Sequence, residues 1–225
     1  MKRKEYFDVE QGTKEWIELR MGVFTSSEIE SLFKEPKSKA AKEAGQLSDT
    51  SITYITEKAC ELIYKTPKPF AYAKATEWGN MYEDYAAEAY QQTTGNKLKV
   101  VGFVTLGNDT GTSPDRYCNG NALLEIKCPY VRTNHIKNLL NLKSQEDLLK
   151  RNKQYYYQVQ HQLYVTGREY CDFASFDPRI LETANQSSWN KCIHILRIEK
   201  DTSIDFEGKI KAAAEYRDYI LKQTL

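Results

Sequence analysis

Residues 121–128 read Asn-Ala-Leu-Leu-Glu-Ile-Lys-Cys, an apolar run that carries one carboxylate and one ammonium and leaves the chain few structural options. Its length and composition predict a strand, in which residues i and i+2 project from one face, so Glu125 and Lys127 point the same way. Charges of both signs on an otherwise apolar strand are costly unless each has a partner or a task. Upstream, Ser113-Pro114-Asp115 precedes the turn-like Cys118-Asn119-Gly120-Asn121, and a hairpin at that turn folds Asp115 back beside Glu125.

Two carboxylates and a lysine gathered in this way suit metal-assisted phosphodiester cleavage, because Mg²⁺ takes hard oxygen ligands and keeps several waters. Asp115, Glu125 and the carbonyl of Ile126 supply such oxygens, and Lys127 stands where it can orient or deprotonate a water and offset charge in the transition state. An ordinary salt bridge within a strand gives the same local pattern. Glu-x-Lys occurs three times in the chain, at Glu35, Glu125 and Glu207, but only the middle one joins an apolar strand to a preceding Pro-Asp.

The remaining sequence gives this pair a setting. A chain of 225 residues is long enough for a sizeable core, and no linker-like stretch divides it, so one domain over residues 1–225 is expected. A net charge of +1 announces no polyanionic partner, and any nucleic-acid surface must come from segregated charge. Five widely spaced cysteines without a Cys-x-x-Cys pair argue against a disulfide framework or a structural zinc site and for a reducing cytoplasm. No signal-peptide core or membrane-length apolar stretch is present, so a soluble protein without membrane attachment is expected.

Helices are predicted over 14–21, from a capping box at Thr25-Ser26-Ser27-Glu28, over 52–63, over 75–94, over 132–150, over 155–165 and over 204–222. Residues 34–50 read as a basic loop with a short helix, and Tyr155, Tyr156 and Tyr157 read as helix packing. Residues 99–106, 110–116 and 121–128 form a three-strand meander, with further strands at 170–176 and 191–198. Gln154, Gln158 and Gln162 share one helical face, with Gln162 expected at the surface. His135, His161 and His194 are scattered and read as structural or surface residues.

This order of elements matches the PD-(D/E)xK nuclease core, an α/β restriction-endonuclease-like fold with a central mixed β-sheet flanked by helices. Within that superfamily the chain resembles the phage lambda exonuclease family of viral recombinases. Six islands carry the resemblance in the family's order: residues 16–22 (Trp-Ile-Glu-Leu-Arg-Met-Gly), 25–28, 78–83 (Trp-Gly-Asn-Met-Tyr-Glu), 113–115, 124–129 and 158–160. The resemblance implies that Glu83 is a third acidic residue reaching the metal, and that Gln158 is a site glutamine. It implies that Arg20, Ser27 and Ser113 hold a terminal 5′-phosphate. An arginine fork matches phosphate oxygens, and a capped helix N-terminus beginning near Thr25 would add free N–H groups. Lys37 stands where the lambda member inserts an arginine into the minor groove and cannot make the same planar contact.

The activity so implied is a Mg²⁺-dependent 5′ to 3′ exonuclease using one or two ions, with Mn²⁺ as a substitute. It acts on linear double-stranded DNA ends, releases mononucleotides and leaves 3′ tails. A homotrimeric ring around DNA, a single-strand annealing protein as partner and, for a phage-encoded chain, the host cytoplasm are implied as well. A structure- or sequence-specific endonuclease on the same core and a non-catalytic DNA-end-binding module are the alternatives.

Overall fold

The computed structural model describes residues 1–69, 74–183 and 189–225. Strand β1 (Arg3–Tyr6), helix α1 (Lys14–Arg20) and strand β2 (Phe24–Thr25) lead into a 3-10 turn (Ile29–Phe33). Helices α2 (Lys39–Glu43), α3 (Asp49–Tyr64) and α4 (Lys74–Thr94) follow. Five short strands come next, β3 (Leu98–Lys99), β4 (Phe103–Leu106), β5 (Thr110–Thr112), β6 (Arg116–Cys118) and β7 (Ala122–Lys127). Helices α5 (Arg132–Asn141), α6 (Gln145–Arg151) and α7 (Lys153–Thr166) precede strand β8 (Tyr170–Phe176). The short α8 (Arg179–Thr183) and α9 (Trp189–Cys192), strand β9 (Ile193–Glu199) and helix α10 (Phe206–Thr224) complete the chain.

The strands form two mixed sheets. One has the order β1-β4-β5-β2 and the other β3-β6-β7-β8-β9. Strand β7 is central in the second sheet, antiparallel to β6 and parallel to β8, with α5, α6 and α7 in the crossover to β8. Its near-continuous apolar run is the one expected of a strand covered on both faces. Leu123 packs into a cluster with Val159 and Leu163 of α7, whereas Leu124 and Ile126 pack on the other side with Ala86 and Tyr90 of α4. Leu123 and Leu124 are fully buried, each contributing about 2 kcal/mol of hydrophobic stabilisation. Glu125 and Lys127 share the face of Leu123 and therefore look toward α7.

The expected meander is divided between the two sheets. The predicted strand 110–116 breaks at Ser113-Pro114-Asp115, so that β5 remains in the first sheet while β6 begins the second. Pro114 has no N–H to give a ladder, and a chain crossing between sheets needs such a gap. Asp115 sits at that crossing.

Two helical expectations are corrected. Thr25 does not cap a helix: it lies in β2, paired in parallel with Gly111 of β5, and its N–H donates to Tyr54 Oη at 3.0 Å. The residues after it make 3-10-type bonds, Glu28 N–H to Thr25 carbonyl and Ile29 N–H to Ser26 carbonyl. Sheet pairing has claimed the residue that local sequence offered as a cap. The helix predicted over 132–150 is interrupted where Leu142 turns into the core, and Ser144 and Asp147 form the capping box that starts α6. Helix α3 is capped by Ser48, whose Oγ accepts from Ser51 N–H, and α4 ends with Gly95 at φ +73°. The cysteines are all free, and among the described residues no helix is long and apolar enough to cross a membrane.

Candidate active site

Glu125 is almost completely buried, at 1% exposure, and its carboxylate is held by three side chains. Oε1 accepts from Lys127 Nζ at 2.5 Å and from Gln158 Nε2 at 2.6 Å, and Oε2 accepts from Gln162 Nε2 at 2.6 Å. Hydrogen bonds to an ionised acceptor are among the strongest in proteins, which answers how a charge survives on an apolar strand. Gln158 and Gln162 reach the same carboxylate because they lie one turn apart on α7. The surface position expected for Gln162 is corrected: it is fully buried, and its Oε1 is without a hydrogen-bond partner among the described residues. The face-sharing of the glutamines was legible in sequence, but the strand they cover was not.

Asp115 reaches the site from the crossing between sheets. Its Oδ2 accepts from the N–H of Ile126 at 2.6 Å, which anchors the carboxylate beside the neighbour of Glu125 on β7. Burial, followed by the negative charges of Glu125 and Glu83, raises the pKa of Asp115 well above the usual range, against the opposing pull of Lys127 and the Ile126 N–H. For Lys127, burial works to lower the pKa, but Glu125 and Asp115 outweigh it and hold it raised. The ammonium lies 4.9 Å from the Tyr155 ring centroid, so Tyr155 faces the site as well as packing against Phe173.

Glu83 approaches from α4 and is tied by Arg116, whose Nη1 donates to Glu83 Oε1 at 2.8 Å and to the Asp115 carbonyl at 2.6 Å. Arg116 Nη2 also meets Asp84 at 2.5 Å. Arg116 was missed in the sequence, although it directly follows Asp115; an arginine in a charge-rich chain carries no signal of its own. Among the described residues no three acidic, histidine or cysteine side chains close into a metal cage. Glu83, Asp115, Ile126, Lys127 and Tyr155 line a cleft of about 870 Å³ that continues past Lys137 and Arg151.

A smaller cleft, about 290 Å³, is lined by Arg20, Ser27, Glu28, Lys58 and Lys68 among others. The Arg20 guanidinium lies 4.1 Å from the Trp16 ring centroid and has no hydrogen-bond or ion-pair partner among the described residues. Burial lowers its pKa, with Tyr54, Glu28 and Glu61 acting the other way; an arginine stays charged regardless. Lys58 is spoken for by Glu61 at 3.1 Å, and Lys68 by Glu57 at 2.8 Å and Glu28 at 3.3 Å. Ser113 does not line this cleft. Its Oγ accepts from Trp16 Nε1 at 2.8 Å, so it braces the ring on which Arg20 rests. The helix N-terminus expected at Ser27 is absent, since the segment there is a turn followed by a 3-10 turn. Lys37 is exposed beyond that turn and lines neither cleft.

A family model described as a YqaJ-like viral recombinase domain matches residues 15–169, a span that contains Arg20, Ser27, Lys37, Glu83, Ser113, Asp115, Glu125, Lys127 and Gln158. The fold is similar to that of an alkaline exonuclease, LHK-Exo, from Laribacter hongkongensis, at 26% identity and a TM-score of 0.73, covering 94% of this chain and 95% of that one. The structure of LHK-Exo in complex with dAMP matches at 25% identity with the same TM-score and coverage. A phage related exonuclease from Haemophilus somnus 129PT has the same fold at 22% identity, with a TM-score of 0.70 and coverage of 90% and 96%. No curated protein matches the chain.

Proposed function

Because this chain belongs to the YqaJ-like viral recombinase family and is a DNA exonuclease, we propose that it digests linear duplex DNA from its ends. It removes the 5′-phosphorylated strand in the 5′ to 3′ direction, releases mononucleotides and leaves a 3′ single-stranded tail for recombination by strand annealing. The observation that carries this reading is the pairing of two sites: Asp115 and Lys127 on the wall of one cleft, with Glu125 buried behind them against Lys127, and an unpaired arginine beside Ser27 in another. The complex of the Laribacter relative with dAMP supports a mononucleotide product.

The donor set fits Mg²⁺. Asp115 and Glu125 are close enough for the charge of one to raise the pKa of the other, and a cation relieves that repulsion. Their three amide and ammonium donors and one backbone N–H leave lone pairs open on both carboxylates. The carbonyl of Ile126 completes a set of hard oxygens, with Glu83 in reach directly or through water; one or two ions fit the reading, and Mn²⁺ is a substitute. A bound ion supplies Lewis-acid polarisation of the phosphate and activation of water. Lys127 orients the water and offsets charge on the pentavalent transition state. Gln158 and Gln162 hold Glu125, and Arg116 holds Glu83. Arg20 and Ser27, with Ser113 behind Trp16, take the terminal phosphate, and Lys37 contacts the duplex.

We read residues 1–225 as one nuclease domain that assembles into a homotrimeric ring and hands its 3′ tail to a single-strand annealing protein. The test is digestion of linear, nicked and covalently closed DNA, with Mg²⁺ or a chelator and with 5′-phosphoryl or 5′-hydroxyl ends. Only ended DNA is consumed, the phosphorylated end is preferred, and Asp115→Ala loses about 10³-fold or more in rate while still binding ends. Cutting of the closed circle establishes an endonuclease instead, and binding without metal-dependent product establishes an end-binding module.

A further inference from the structure

Ser27 lies on a stretch that no regular element supports. β2 ends at Thr25 and the 3-10 turn begins at Ile29, so the backbone of residues 26–28 sits between them. Helix α7 supplies the support. Gln154 Nε2 donates to the carbonyl of Ser27 at 3.1 Å. His161 Nδ1 shares a hydrogen bond with Ser26 Oγ at 2.7 Å, and its Nε2 shares one with Thr110 Oγ1 of β5 at 2.8 Å. The same helix holds Glu125 through Gln158 and Gln162. Gln154 and Gln158 are one turn apart, a rise of about 6 Å along a stiff rod.

His161 is fully buried, and nothing in the cleavage chemistry uses it. An apolar side chain would fill that place without needing polar partners, yet this ring ties α7 to the segment leading into Ser27. From these contacts we propose that α7 is the gauge that fixes the spacing between the terminal-phosphate cleft and the paired carboxylates, with Gln154 and His161 as its positioning residues. The proposal rests on the reading of Arg20 and Ser27 as the terminal-phosphate pocket. The spacing decides how many nucleotides lie between the anchored end and the bond that is cut. Loosening residues 26–27 lets the end settle in more than one register, so products longer than one nucleotide appear. Ends without a phosphate never use the anchor, so their rate does not depend on it.

The experiment compares the full-length protein with Gln154→Met and His161→Asn, in Mg²⁺, on duplexes with 5′-phosphoryl or 5′-hydroxyl ends. Methionine matches glutamine in length but cannot donate. Rates and product lengths are read by gel and mass spectrometry. The expected result is a preference for the phosphorylated end reduced about twofold to tenfold per lost hydrogen bond, dinucleotides among the products, and an unchanged rate on hydroxyl ends. Equal slowing on both ends marks a merely structural role and overturns the proposal, as does a wild-type preference with mononucleotides alone. Should His161→Asn fold poorly, Gln154→Met, exposed on the helix, decides by itself. Arg20→Ala separates the two readings. If it keeps the phosphate preference, the pocket reading fails and the gauge with it; if it loses the preference while both α7 variants keep theirs, the gauge alone fails.

Discussion

At His161 a single side chain sets a pH dependence. Burial lowers its pKa from 6.5 to about 3, so the ring is neutral in the folded protein and charged in the unfolded chain at mildly acidic pH. The unfolded state then binds more protons, and stability is lost as pH falls from 6.5 toward 3, by up to about 1.4 kcal/mol per unit. Burial lowers the pKa of His135 and His194 too, adding to the same trend. Asp115 works in the opposite direction, because a raised carboxyl takes its proton more readily when folded. Urea denaturation at pH 7 and pH 5 separates these contributions: His161→Asn should show a shallower loss than the wild type, and an identical loss would mean that the ring takes its proton as readily in the folded protein as in the unfolded chain. The isolation of His161 was readable in the sequence as that of a structural or surface residue, and its burial excludes the surface. Its partners Ser26 and Thr110 were not, since they are 135 and 51 residues away.

At the scale of elements, the first sheet reaches the cleft around Arg20 through Gly102. Its N–H donates to Tyr6 at the end of β1, and its carbonyl accepts from Trp16 Nε1 at 3.2 Å, the ring beneath Arg20. A Cβ on Gly102 would lie 1.7 Å from the carbonyl oxygen of Val9. That obstacle is backbone and cannot rotate away, so Gly102→Ala has to displace the Tyr6–Val9 segment or the start of β4. Thermal unfolding should reveal a loss near the upper end of overpacking costs, about 3 kcal/mol, and the preference for 5′-phosphorylated ends should fall with it. A variant as stable as the wild type would show that the two segments are not in register as described. The β7 strand was legible from the length and composition of its apolar run, whereas the split of the meander was not, because the consequence of Pro114 depends on which sheet each half joins.

For the whole molecule, a net charge of +1 provides little long-range attraction to DNA. Three of the loop lysines are engaged locally, Lys34 with Glu30, Lys42 with Glu35 and Lys39 with Glu43, and only Lys37 of that stretch lacks an ion pair among the described residues. Retention on DNA over many cycles is then better served by enclosure than by charge. Light scattering should give about three times the 26.1 kDa chain mass, and digestion once begun should persist on dilution into competitor DNA. Lys37→Ala should lower the slope of log affinity against log salt by about one, and Lys39→Ala should leave it unchanged. A monomer that releases DNA after a few nucleotides would rule out the ring and leave the cleavage chemistry untouched.

What the sequence alone determined is local. The strand period in residues 122–127 put Glu125 and Lys127 on one face, and helical spacing put Gln158 and Gln162 on another. Each follows from backbone geometry, which repeats every two residues in a strand and every 3.6 in a helix whatever the rest of the chain does. Tertiary structure decided which of these faces meet. Gln162 became a partner of Glu125 because the α5–α7 crossover lays α7 over β7, Arg116 became the clamp on Glu83 because β6 runs beside α4, and Thr25 lost its cap to a strand pairing with residues 110–111. Such contacts join residues tens of positions apart, and their energies depend on the packing of whole elements rather than on any spacing along the chain.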